Sequence, residues 1–167
     1  LVRSRGLGDV YKRQQLRLHG KGYFFDNARR KHGALMHEVL SRIRTRKDIP
    51  QSVERYHQEG VIDKEEAIAL VEELLNLPEA ASWYDGTARV LNEVDILFGK
   101  GLSKRPDRVM ITGNRVVVVD YKFGEHADQR YHSQVRNYLK LIRQMGYDEV
   151  EGFLWYVELN KIEAVKG

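Results

Sequence analysis

Two aspartates and a lysine stand out by where the chain places them. The stretch KRPDRVMITGNRVVVVDYKFG, residues 104–124, runs four valines into Asp120, Tyr121 and Lys122. A strand apolar enough to lie inside a sheet does not end in a carboxylate and an ammonium without consequence, because buried charges are costly unless paired or bound to something. Gly113-Asn114 between two β-rich runs predicts a two-residue hairpin loop, with glycine free to take the positive φ such turns need. Thr112 then pairs with Arg115, and the same register sets Asp107 opposite Asp120 with their Cβ atoms about 5 Å apart. Lys122, two residues further on, shares that face. Two carboxylates this close repel and stay ionised together only if a cation joins them. The lysine offsets part of the repulsion; a divalent metal with oxygen ligands, magnesium being the hard example, would offset more. The competing reading is a cross-strand Asp–Lys ion pair at a sheet end, with Asp107 helping to form a turn.

The elements that must position these groups follow from hydrophobic period. NARRKHGALMHEVLSRIRT has Ala34, Leu35, Val39, Leu40 and Ile43 at helical spacing. DKEEAIALVEELLNL opens on Asp63 as an N-cap, with Glu66 three residues on. A short helical turn is expected after Pro78. From Thr87 to Phe98 the pattern is extended and carries Glu93, and two strands follow near residues 105–111 and 115–122. QRYHSQVRNYLKLIRQMG reads as a helix stopped by Gly146, and EVEGFLWYVEL returns to strand. Helices, three strands, a helix and one or two strands make a mixed α/β layer structure.

Composition narrows the chemistry. At 167 residues the chain is about one domain, and with no cysteine it has no thiolate nucleophile, disulfide or cysteine-held iron–sulfur cluster. No apolar run is long enough to span a bilayer and none resembles a signal-peptide core, so the expectation is a soluble cytoplasmic protein with no membrane partner. Residues 4–14, SRGLGDVYKRQ, resemble a translated sequencing adapter, so 1–14 are expected to be an artefact and 15–167 a fragment of a longer protein. Arg3, Arg5, Lys12 and Arg13 against Asp9 put a net +3 in that segment and leave about +1 for the rest of a chain whose total is +4. Residues 48–98 are strongly acidic, and residues 101–145, which hold the aspartates and the lysine, are net basic. An anionic partner or a solvated basic face would each give that pattern.

"PD", a hairpin and then "DYK" resemble the signature of the PD-(D/E)xK nuclease superfamily. Within it, Asp107-Arg108-Val109 and VVVVDYKFG are similar to the RecB-type nuclease domain joined to UvrD/Rep-like helicases. GALMHEVL is similar to that branch's G-x-x-x-H helix motif and places His37; QVRNY is similar to its Q-x-x-x-Y motif and places Gln134 and Tyr138. The resemblance covers about residues 27–157. It implies a restriction-endonuclease-like α/β fold with a mixed central sheet flanked by helices, and metal-dependent hydrolysis of DNA phosphodiesters. By that resemblance His37, Asp107, Asp120 and the Tyr121 carbonyl would bind Mg²⁺ or Mn²⁺, and Lys122 would activate the attacking water and stabilise charge on the phosphorane. Gln134 and Tyr138 would line the site, with Arg108 and Arg130 supporting it or the DNA, and Glu93 supporting the metal.

Plain alternatives stand beside these roles. His37 reads equally as an ordinary half-buried histidine, Gln134 and Tyr138 as helix packing, and Arg130 and Arg136 as solvated helix charges. Stacking of Tyr131 on a base of single-stranded DNA is a further option that the sequence reading does not adopt. The partners implied are a DNA end or single strand, an upstream helicase domain in the same chain and an AddB/RecC-like subunit. A stand-alone phage-type exonuclease and an inactive DNA-binding module are the competing readings.

Overall fold

The computed structural model describes residues 26–98, 101–124 and 128–167; residues 4–14, read above as adapter-derived, lie outside them. Four α-helices are described: α1 (Asp26–Arg42), α2 (Ile49–Gln58), α3 (Lys64–Leu75) and α4 (Gln129–Gln144). Seven strands accompany them: β1 (Arg89–Asn92), β2 (Ile96–Phe98), β3 (Leu102–Lys104), β4 (Arg108–Thr112), β5 (Arg115–Lys122), β6 (Glu149–Tyr156) and β7 (Lys161–Val165). Five form one sheet in the order β1-β4-β5-β6-β7, and β2 and β3 form a separate two-stranded ribbon. Only β5 and β6 run parallel, joined through α4, so the sheet is mixed.

The central hairpin has the expected register, from Thr112 opposite Arg115 to Arg108 opposite Val119. Gly113 takes a φ of 59° while Asn114 has no positive φ, the pattern of a type II′ turn. Period-2 alternation then divides β5 between two cores. Val117, Val119 and Tyr121 face the layer made by α1, α2 and α3. Val116 and Val118 face α4 through Val135, Tyr138, Leu139 and Ile142. Asp120 and Lys122 continue the second set and so emerge on the α4 side.

Asp63 caps α3 by accepting from the Glu66 amide at 2.9 Å, as its sequence position implied. A 3₁₀ turn at Ala81–Tyr84 follows Pro78, and Gly146, with a φ of 97°, closes α4. The extended run expected over 87–98 divides instead into β1 and β2, and the strand expected near 105–111 starts at Arg108. Helix α2 was not anticipated; it buries Ile49, Val53 and Tyr56 against its neighbours. Glu59, Glu65, Glu66, Glu72, Glu73 and Glu79 are exposed on this layer, which accounts for the acidic span as a solvated face.

Helix α4 lies tight on β6 because Gly152 has no side chain. A Cβ there would come within 2.6 Å of Val135 Cγ1 and 2.9 Å of Leu139 Cδ2. Gly152→Ala is therefore expected to push α4 off the sheet and cost about 1–3 kcal/mol of stability, read from a denaturant midpoint. A variant as stable as the wild type would show that α4 has room to move.

Candidate active site

The end of the central hairpin is where charge collects. Asp107 lies one residue before β4, just past the last paired couple, beside Asp120 at the end of β5. Its carboxylate is held from two directions: Oδ2 accepts from the Tyr121 backbone N–H at 2.6 Å, and Oδ1 lies 2.9 Å from His37 Nε2. The other ring nitrogen of His37, Nδ1, is 3.3 Å from Glu93 Oε1. His37 thus bridges two carboxylates that belong to neighbouring strands.

Helix α1 can bring His37 this close because Gly33 sits one turn earlier. A Cβ at Gly33 would lie 2.9 Å from Phe123 Cβ, so only glycine lets the end of β5 approach the helix. The imidazole then meets Tyr121 and Phe123 edge-on, with ring centroids 6.2 and 6.1 Å away.

Glu93 is not within a strand, as the extended pattern suggested, but one residue beyond β1. Its φ of 51° is unusual for a residue with a side chain, and its amide donates to the Asp107 carbonyl at 3.0 Å. The kink holds the Glu93 carboxylate against His37.

Asp120 is buried, with 2 % of its side chain exposed. Burial and then the neighbouring Asp107 charge push its carboxyl up to about 6. The Lys122 ammonium touches Asp120 Oδ2 at 2.5 Å, yet at an angle that leaves this buried oxygen without a directed hydrogen bond. His37 moves the same way, raised chiefly by its bond to Asp107 and opposed by burial. A carboxyl raised in the folded state supports folding fully below its unfolded pKa, near 3.8, and loses that support as pH climbs through about 6. Asp120→Asn should therefore gain stability over the metal-free wild type by about 1–3 kcal/mol at pH 8 and nothing at pH 4. Denaturant midpoints in EDTA at the two pH values check this; a gap independent of pH would refute it.

Lys122 is enclosed further. Its Nζ donates to Gln134 Oε1 at 3.2 Å and lies 4.5 Å from the centre of the Tyr131 ring. Gln134 Nε2 donates to Tyr138 Oη at 2.7 Å, and that hydroxyl donates to the Arg105 carbonyl at 3.3 Å. Both tyrosines and the glutamine come from α4, and burial raises the Tyr138 phenol to about 12, so it remains a neutral donor.

The structure thus gathers His37, Glu93, Asp107, Asp120, Lys122, Gln134 and Tyr138. Arg130 is elsewhere: 88 % exposed, it pairs with Asp128 at the start of α4. Arg108 corrects the sequence reading as a DNA contact. Its guanidinium is wholly buried on the opposite face of the sheet, donating to the carbonyls of Ile43, Arg44 and Trp83 and lying 3.9 Å over the Tyr84 ring. It ties the loop after α1 to β4 and cannot reach a bound strand. Tyr121 is fixed on that inner face too, its hydroxyl 2.8 Å from that of Tyr84.

The donors suit a small, hard cation. One ligand atom each from His37, Glu93 and Asp107 can lie within 4.8 Å of one another, and Asp120 adjoins them with a buried oxygen that lacks a directed donor. Sequence reasoning gave Glu93 only a supporting place, because its approach depends on a backbone kink that no residue type announces.

A mixed sheet whose central hairpin delivers two aspartates and a lysine, with a third carboxylate and an imidazole alongside, offers the donor groups that metal-dependent hydrolysis requires. The family model for the PD-(D/E)XK nuclease superfamily matches residues 11–167, and the chain belongs to that superfamily. Nucleases of the superfamily use divalent metals. No curated protein matches the chain. Among the described residues, no helix is long and apolar enough to cross a membrane.

Proposed function

We propose that the chain cleaves DNA phosphodiesters with Mg²⁺ or Mn²⁺ as an exonuclease of the RecB type, acting as the C-terminal nuclease module of a helicase–nuclease in double-strand-break repair. The observation that carries the hydrolytic reading is the convergence of His37, Glu93 and Asp107 beside the buried Asp120–Lys122 pair. The RecB-type assignment is supported by His37 standing one turn after Gly33 and by the Gln134–Tyr138 pair reaching Lys122. The helicase and an AddB/RecC-like partner follow from that assignment.

Asp107, Asp120 and His37 would hold the cation, with Glu93 completing or supporting the set and the Tyr121 carbonyl as a further oxygen. The cation supplies a nucleophile near neutral pH and a clamp for charge developing on the phosphate. Lys122 has two duties in this chain. In the free protein its ammonium balances Asp120; with DNA present it orients the attacking water and meets the negative charge on the phosphorus oxygens. Gln134 accepts a second hydrogen bond from the ammonium that touches Asp120, and Tyr138 fixes the Gln134 amide.

Lys122→Ala removes both duties at once. It should lower single-turnover cleavage of a labelled linear single strand by about 10²–10³-fold while metal still binds, because the carboxylates and imidazole are untouched. A variant that cleaves as fast as the wild type would remove Lys122 from the chemistry.

A further inference from the structure

The β2–β3 ribbon is not used by the chemistry above, yet it is rooted in it. It occupies the interval between Glu93 and Asp107, two members of the cation cluster. Its base is closed by the Glu93 amide donating to the Asp107 carbonyl, and by Arg105 donating to both oxygens of Asp95 at 3.0 and 3.2 Å. Tyr138 Oη fastens the Arg105 carbonyl to α4. Beyond that base the strands pair only with each other, Ile96 opposite Lys104 and Leu97 opposite Ser103.

What the ribbon presents is unusual for a structural hairpin. Leu97 is 75 % exposed and Leu102 55 % exposed. Alternation puts them on opposite faces, since Leu102 shares its face with Ile96 and Lys104 while Leu97 shares its face with Ser103. Among the ribbon's described side chains, Ile96 is the one that packs against the α4 core. Two-stranded ribbons have no interior of their own, so leucines on both faces stabilise nothing in the free protein. The segment 96–105, ILFGKGLSKR, holds three basic residues and no acid. A blade that is apolar on both sides and basic along its length fits between the bases of a nucleic-acid strand, with phosphates along its edges. A protein partner would need only one apolar face. Four residues of chain separate Leu97 from Glu93, a reach of at most about 14 Å, so the blade meets the strand within a few nucleotides of the cation cluster.

Resting on the nuclease reading, we propose that the Ile96–Lys104 ribbon is a base-engaging wedge that admits unpaired DNA to the site. Leu97 and Leu102 stack on unpaired bases, while Lys104 neutralises a phosphate. The enzyme therefore selects single strands and frayed ends over closed duplex.

The test is fluorescence anisotropy of the 167-residue chain in EDTA. It compares a labelled single strand, the same strand made abasic, and a blunt duplex, with wild type and the Leu97→Ser/Leu102→Ser double variant. Both leucines are exposed, so circular dichroism should show an unchanged fold. The wild type should bind the base-bearing strand at least about tenfold more tightly than the abasic strand or the duplex. The double variant should lose about that factor on the base-bearing strand alone. Equal binding by wild type and variant, equal binding of abasic and base-bearing strands, or no binding by the wild type would overturn the proposal. So would sedimentation showing that the substitutions dissolve a dimer, which would make the ribbon a contact between copies. Cleavage separates this from the reading beneath it. A wild type that binds through the ribbon but does not cleave leaves the wedge standing and removes the nuclease. A double variant that cleaves and binds as the wild type does the reverse.

Discussion

Asp107→Asn should abolish metal-dependent cleavage, a loss of about 10³-fold or more, with the fold intact. The substitution keeps the shape of the side chain and an oxygen for the Tyr121 amide, so the junction of β4 and β5 stays closed. What goes is the negative charge that draws a cation into the space between His37, Glu93 and Asp120. The Asp120 carboxyl should also fall back toward its ordinary range, because the Asp107 charge is the second cause holding it up after burial. Calorimetry should show metal affinity reduced by at least about tenfold, in line with the loss of a ligand charge. A variant that binds metal and cleaves like the wild type would mean that the cation, if any, sits elsewhere.

Arg108→Met is expected to be the most damaging single change outside the site, costing about 3–5 kcal/mol. Methionine fills much of the volume but leaves the carbonyls of Ile43, Arg44 and Trp83 buried without their donor, and the Tyr84 ring without the cation above it. Lysine would not rescue it, since a single ammonium cannot reproduce a planar fork that reaches several carbonyls at once. The readout is the guanidinium unfolding midpoint. A loss below about 1 kcal/mol would show that those carbonyls find water or other donors.

Arg108 also shows where sequence reasoning stopped short. Alternation along β4 requires neighbours to face opposite ways, so a residue next to Asp107 could not share its face. Parity alone would have assigned Arg108 to the inner core with Met110, and resemblance to a motif drew attention away from it. The hairpin register was legible because Gly113-Asn114 admits few loop geometries and the flanking residues are strongly β-forming. The cap at Asp63 and the stop at Gly146 were legible for the same reason: each depends on the residue itself and its near neighbours.

Contacts made across long sequence separations were not legible from spacing. Nothing in the order of residues brings Glu93 against His37, which lies 56 positions earlier. That meeting needs α1 seated over the end of β5, and β1 to kink at a positive φ. Helix α2 was missed although Ile49, Val53 and Tyr56 have helical spacing and Pro50 stands in the first turn. Proline at the first turn of a helix is in fact well suited there. Strand β2 was absorbed into the extended run over 87–98, and β3 fell in the gap before the strand expected near 105.

The most direct measurement is cleavage of an end-labelled single strand through one cycle of chelation and restoration, on wild type and Asp107→Asn together. Cleavage that stops in EDTA, resumes with excess Mg²⁺ or Mn²⁺, and is absent throughout in the variant is the expected result. Cleavage that persists in EDTA, or that the variant matches after metal is restored, would contradict a metal-dependent nuclease centred on Asp107.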